Sequence, residues 1–283
     1  MKNKKNKFLI GTLGLIVVVI ISFFSFKKND STENHTITIG IMSGTKDDDE
    51  FWNLVKDNAS QKYGVQVVYK KFTDYNTPNK ALQSGDLDAN AFQNIAFLKS
   101  WNKSHNTNIV SIGKTMIAPM NIYSEKIANI KSIKSNSTIG IPNDTANEER
   151  ALLILKNAGL IKLKKSVNLT PKDVIYNPKK IQFKEVSAEQ IPHALDSLDA
   201  GIINTNYAKA AGLDSSKSIY TERINKDSEK YASVVATTDK LKKNKLVNDY
   251  LKAYQSENVK KEMKKIYGET KIPAWDLNFN KNN

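Results

Sequence analysis

Residues 138–159 set the tightest limit on what this chain can become. Residues 138–141 form a short apolar run of strand type, Pro142 breaks it, and helical spacing resumes over 146–158, with Gly159 fitted to a C-terminal cap. Thr145 followed three residues on by Glu148 reads as a capping box, hydroxyl and carboxylate each satisfying the other's backbone donor. Strand, polar loop and capped helix together aim N–H groups beyond the strand's C-terminal end. Open α/β sheets bind ligands there, and a helix N-terminus favours anionic groups. Arg150 adds a fork able to hold a carboxylate through two parallel bonds. It is one of only two arginines among 43 basic residues, the other being Arg223. The same residues also describe an ordinary connection with a good cap and an exposed, solvated arginine.

The pattern extends in both directions. Strand-like runs fall at 36–42, 65–69, 109–112, 116–123, 181–186, 199–204 and 231–237. Ser43-Gly44 ends the first, and Asp47, Asp48, Asp49 and Glu50 then load acid into the first turn of a helix through Phe51, Trp52, Leu54 and Val55. That acid suits the helix dipole, or else faces a ligand's ammonium group. Thr77-Pro78 opens a short helix that stops before Gly85, and another runs through Phe97, Leu98 and Trp101. Ser187 is placed to cap a helix through Ile191, Ala194 and Leu198, and amphipathic helices at 241–255 and 259–267 close the chain. Strands alternating with helices predict an α/β fold with mostly parallel sheets, and 283 residues suffice for two domains. No internal repeat stands out.

The N-terminus is of a different kind. Lys2, Lys4, Lys5 and Lys7 precede a nineteen-residue apolar run, 8–26, closed by Lys27 and Lys28. As a helix that run is about 28 Å long, close to the thickness of a bilayer's hydrocarbon core. The longer basic flank is N-terminal, which predicts a cytoplasmic tail and an exported body. Bulky Ser22-Phe23-Phe24-Ser25-Phe26 offers no small-x-small cleavage site, so an uncleaved signal-anchor over 1–28 is preferred to a cleaved signal peptide, with 29–35 as a linker. Without cysteine there is no acceptor for a lipid anchor, no disulfide and no thiolate metal site. Six of the +14 net charges lie in that basic flank, leaving 37 basic against 29 acidic residues spread over every expected helix. Such a spread suits an anionic envelope better than nucleic acid.

Catalytic signatures are missing: no GxxxxGK[ST], GxGxxG after a strand, GxSxG or HExxH, and His35, His105 and His193 are scattered. The strand ends instead offer amide, aromatic and guanidinium groups: Tyr75, Phe92, Asn94, Phe97, Asn143, Asn147, Arg150 and Asn204. Amide donors, one arginine and aromatic walls suit a small zwitterion with an apolar tail, bound and not transformed, with no metal or cofactor.

Several blocks in order resemble the NlpA-type methionine-binding protein family. They are Phe72-Thr73-Asp74-Tyr75 with Pro78-Asn79, Leu87-Asp88-Ala89-Asn90-Ala91-Phe92-Gln93, Ile141-Pro142-Asn143-Asp144, Ala158-Gly159-Leu160-Ile161-Lys162-Leu163, Ile203-Asn204-Thr205-Asn206-Tyr207-Ala208 and Ala253-Tyr254-Gln255-Ser256. The resemblance implies the substrate-binding component of a methionine ABC importer, working with permease and ATPase subunits on the extracytoplasmic side of the cell membrane. It implies a two-lobe, type II periplasmic-binding-protein-like fold, with lobe one at 36–127 and 211–283 and lobe two at 128–210. By matching position, Tyr75, Phe92, Asn143, Asn147, Arg150 and Asn204 line the pocket. Three departures stand out: the acceptor Cys is absent, Ser43-Gly44-Thr45-Lys46-Asp47 replaces a Pro-His loop, and Ala91-Phe92-Gln93-Asn94 replaces Tyr-Phe-Gln-His. These changes open the side-chain end of the site, so a methionine-containing dipeptide or another apolar amino acid stays open as ligand. A ligand sensor or surface adhesin is the alternative to transport.

Overall fold

The computed structural model describes residues 35–279. The expected signal-anchor at 1–28 lies outside them, and among the described residues no helix is long and apolar enough to cross a membrane.

In chain order the elements begin with β1 (Thr36–Met42), α1 (Lys46–Tyr63), β2 (Gln66–Phe72), α2 (Thr77–Ser84), β3 (Ala89–Asn90), α3 (Ile95–His105), β4 (Ile109–Lys114) and β5 (Met116–Ile117). The middle of the chain supplies β6 (Asn121–Tyr123), β7 (Thr138–Pro142), α4 (Thr145–Asn157), β8 (Lys162–Leu163), β9 (Val174–Tyr176), β10 (Gln182–Val186), β11 (Ala200–Ile203), α5 (Thr205–Ala210) and β12 (Tyr220–Thr221). β13 (Val234–Thr238), α6 (Lys245–Tyr254), α7 (Glu257–Tyr267) and β14 (Ile272–Pro273) complete it.

Two five-stranded sheets result, ordered β2-β1-β3-β13-β4 and β10-β7-β11-β6-β12. In each, four strands run the same way and the fourth in order, β13 or β6, runs against its two neighbours, so the sheets are mixed where the sequence predicts mostly parallel ones. Both chain ends build the first: Phe51 and Trp52 of α1 pack edge-on against Tyr254 of α6 and Tyr267 of α7, over Ile37, Ile39 and Ile41. The second sheet rests on Ile139, Ile141, Leu152, Leu155 and Ile202. The chain passes between sheets after β5 and again after β12. β6 and β12 therefore sit in the second sheet, although the expected boundaries assign both to lobe one.

Two other expectations fail for backbone reasons. The run 116–123 splits at Pro119 into β5, which pairs with β14, and β6, which pairs with β11 and β12. The helix expected after Ser187 is a string of turns with one 3₁₀ turn, Pro192–Ala194, since Pro192 has no N–H to donate.

The halves also share a local device that contradicts the reading of no repeat. Thr-Ile-Gly-Ile occurs at 38–41 in β1 and 138–141 in β7, and Leu-Asp-Ala at 87–89 and 198–200. In the first sheet Asp88 accepts from the Thr38 N–H at 2.7 Å and returns its own N–H to the Thr38 carbonyl at 2.9 Å. Asp199 and Thr138 repeat both bonds at the same distances. A Cβ at Gly40 would meet Leu87 Cδ1 at 2.6 Å, and one at Gly140 would meet Leu198 Cδ1 at 2.6 Å. At both, a leucine tip lies against the strand where a larger residue would have to push it aside.

Candidate functional site

The loop after β1, the first turns of α4 and the segment after β11 line a cavity of about 110 Å³. A single water needs roughly 10–15 Å³ measured in this way, so the space suits a small molecule. Of the eight residues expected in a pocket, Tyr75, Phe92, Asn94, Phe97, Asn147, Arg150 and Asn204 line this one. Asn143 does not. It is exposed, and its N–H is spent on the Val186 carbonyl, continuing the β7–β10 pairing by one residue.

The polar end is built from α4. Its N-cap is Asp144, whose carboxylate accepts from the Asn147 N–H at 3.0 Å, so the expected Thr145–Glu148 capping box does not form. A carboxylate is the stronger acceptor and also complements the helix dipole. Asp144 further takes the Asn147 side-chain amide, and Asn147 Oδ1 accepts from Asn204 Nδ2 at 3.1 Å. Burial raises the Asp144 pKa, and these amide bonds oppose the rise.

Arg150 is buried, only 3 % exposed, so the alternative description of an exposed, solvated arginine does not apply. Glu222 holds its Nε at 3.0 and 3.1 Å and its Nη2 at 2.6 Å, Nη2 also donates to the Ala118 carbonyl at 2.8 Å, and the Tyr231 ring lies 4.5 Å from Cζ. Most of the fork is thus engaged inside the protein, and these bonds leave Nη1.

The apolar end is an aromatic cluster. Tyr75 lies 5.9 Å from Phe92, 5.8 Å from Phe97 and 4.7 Å from Tyr207, ring centre to ring centre. Its hydroxyl donates to Asn206 Oδ1 at 2.6 Å. Burial pushes the hydroxyls of Tyr75 and Tyr207 well above the usual range, so both stay protonated. Asn94 is the N-cap of α3 and spends its oxygen on the Phe97 N–H. Beside it Asn79, Asn90 and Gln93 form a closed, buried amide network. Further along the wall Lys271 and Tyr267 donate to Asp48 at 2.5 and 2.8 Å. Burial alone would raise Asp48, but the Lys271 charge and the bonds from Lys271, Thr45 and Tyr267 outweigh it and hold the carboxyl well below the usual range.

Three buried polar atoms on the cavity wall have no partner among the described residues: Asn204 Oδ1, Asn206 Nδ2 and the Tyr231 hydroxyl. Buried polar groups are ordinarily paired, so one acceptor, one donor and one hydroxyl converging on a cavity mark where a ligand's polar groups fit. Asn206, Tyr231, Lys271 and Glu222 behind Arg150 were not expected from sequence, whereas Asp48 belongs to the acidic run weighed as facing a ligand's ammonium group. Of the unexpected four only Asn206 carried a signal, two residues from Asn204 in the same family-like block; the others come from chain positions far from it.

Mixed sheets facing a polar–aromatic cavity make this the α/β fold of periplasmic substrate-binding proteins. Residues 37–275 match the NlpA lipoprotein family, and the chain belongs to it. A probable D-methionine-binding lipoprotein MetQ of Pasteurella multocida is 38% identical over 242 residues, covering 84% of this chain and 86% of the relative. A nutrient-binding protein from Burkholderia cenocepacia, solved bound to methionine, superposes with a TM-score of 0.79 at 40% identity, covering 84% of this chain and 99% of that one. The substrate-binding protein of a methionine transporter from Streptococcus pneumoniae gives a TM-score of 0.79 at 31% identity, with 85% and 96% covered.

Proposed function

We propose that this chain is an extracytoplasmic solute-binding protein that captures methionine and hands it to an ABC importer. The observation that carries this is the wall itself. Arg150 Nη1 and Asn206 Nδ2 can donate to an amino acid's carboxylate, Asn204 Oδ1 can accept from its ammonium, and the aromatic cluster can take an apolar, sulfur-bearing tail. The methionine-binding relatives support the choice of ligand. Asn94 and Ala91, where the family pattern has His and Tyr, leave room for a longer ligand such as a methionine dipeptide.

In this reading the two sheets belong to two lobes of a type II binding protein that hinge over the ligand. Tyr75–Asn206 and a Lys209–Asp47 contact at 3.7 Å link segments of the two sheets across the cavity, which supports a closed arrangement. The apolar run at 8–26 would tether the protein to the membrane in place of the lipid that its relatives' names imply. Binding rather than turnover accounts for the lack of any catalytic set.

Calorimetric titration of residues 35–283 with L-methionine, D-methionine, glycyl-methionine and leucine tests the reading. Saturable one-to-one binding of a methionine compound, tighter than leucine, is expected. No binding to any of them would send the search to another ligand class.

A further inference from the structure

Two buried ion pairs stand at the cavity, and they differ in depth. Asp48 and Lys271 both line it; of the other pair Arg150 lines it, while Glu222 sits behind the guanidinium and does not. Glu222 is fixed from its own side as well. Its Oε2 accepts the Met120 N–H at 2.8 Å, and its N–H donates to the Met120 carbonyl at 3.0 Å.

We propose that Glu222 is a positioning residue that locks Arg150 and cancels its charge before a ligand arrives, so that the cavity selects net-neutral zwitterions over anions of the same shape. This rests on the amino-acid ligand proposed above. With Nε and Nη2 held by Glu222 and Ala118, the ligand's carboxylate meets one nitrogen of Arg150 and not the two-pronged fork. The wall charges also sum to zero: Arg150 against Glu222, Lys271 against Asp48. Asp144, behind Asn147, caps α4, whose N-terminal dipole compensates it. An anion entering this cavity is buried without a counter-charge, which is costly, whereas a zwitterion brings its own compensation. A bare, uncompensated Arg150 would reverse that preference.

Glu222→Gln tests this because it removes the charge and keeps the size and one carbonyl acceptor, which can retain the Met120 and Arg150 Nη2 bonds while the Nε bond to the other oxygen is lost. Wild type and variant are titrated with L-methionine and with 4-(methylthio)butanoate, the same skeleton without the ammonium. Wild type should prefer methionine strongly, and the variant should shrink that ratio by about tenfold or more. A ratio unchanged within about threefold, with only a lowered melting temperature, would reduce Glu222 to a structural role and overturn the proposal.

A second readout needs wild type alone. With only Arg150 and Arg223 present, the arginine Nε–H region of a ¹H–¹⁵N spectrum holds two signals. The Arg150 signal should be protected from solvent exchange without ligand and stay protected when methionine is added. Loss of protection on adding methionine would mean that the ligand displaces Glu222, and the proposal would fall. A protected signal in a protein that binds no amino acid would count against the ligand reading and leave the clamp standing.

Discussion

The first and second sheets begin from the same four residues and finish with opposite charges on the cavity wall. After Thr38-Ile39-Gly40-Ile41 the chain turns through Ser43-Gly44-Thr45 and presents Asp48; after Thr138-Ile139-Gly140-Ile141 it turns through Asn143-Asp144 and presents Arg150. Each charge is neutralised by a residue from much later in the chain, Lys271 and Glu222. The scaffold bonds are repeated almost to the tenth of an ångström, while the loops are free to diverge. That is the division expected when buried strand pairing fixes geometry and exposed-to-cleft loops carry function.

The largest test of this comparison is to break each ion pair. Arg150→Ala strands Glu222 in the interior and should cost about 3–5 kcal/mol of stability, read by denaturant melts. Lys271→Ala should cost less, because Asp48 keeps the Thr45 N–H, the Thr45 hydroxyl and the Tyr267 hydroxyl. Equal losses would show that Lys271 and not that hydrogen-bond set holds Asp48.

Next come the shared glycines. Gly40→Ala and Gly140→Ala should each cost about 1–3 kcal/mol by overpacking against leucine. Gly40 should be the worse, since Asn90 Cβ at 3.3 Å and Phe72 at 3.2 Å confine it as well. A milder Gly40→Ala would mean that Leu87 yields more readily than Leu198.

The paired aspartates give a finer comparison. Asp88→Asn and Asp199→Asn keep an acceptor for the threonine N–H but lose its charge, at about 1 kcal/mol each. Because the bonds match, the two losses should match; chemical denaturation of both variants checks this, and a marked inequality would show that the repeat is geometric but not energetic.

The smallest effect concerns Glu148, buried on α4 and pushed up to about 7 by burial first and then by Glu185, Asp144 and Asp173. Its folded pKa lies above the ordinary glutamate value of 4.5, so the folded state holds the proton longer. The stability it contributes is complete below pH 4.5 and is lost as pH rises through about 7. Glu148→Gln should melt a few degrees higher than wild type above that window and no higher at pH 4. Asp48 in the first half runs the other way: its depressed pKa stabilises at neutral pH and that contribution is lost only in acid.

Much of the fold was legible because local rules and tertiary packing agree. β1 alternates apolar residues, α2 opens on Thr77-Pro78 and stops at Gly85, and α4 stops before Gly159, which adopts φ +77°. The errors fell where partners lie far away in sequence. Pro119 redirects a strand that reads as continuous, and Pro192 removes a helix that its apolar spacing suggests. The site was legible wherever residues sit on the two βα loops or within the family-like blocks. Glu222 and Lys271 were invisible because nothing local distinguishes either from the other 70 charged residues of the chain. The repeat was missed for the opposite reason: seven residues per copy, split into two short blocks, are too few to register until the hydrogen bonds align them.

The route of the chain has a consequence for biogenesis. Every strand of the second sheet lies between residues 121 and 221, an uninterrupted stretch, whereas the first sheet waits for β13 and its core for α6 and α7. A polypeptide emerging N-terminus first can therefore complete the later-starting half before the earlier one. Until the last forty residues appear, Ile37, Ile39 and Phe51 lack the cover that Tyr250, Tyr254 and Met263 provide. An emerging chain carries that uncovered apolar face, so the interval before its C-terminal helices arrive is when it most needs a chaperone.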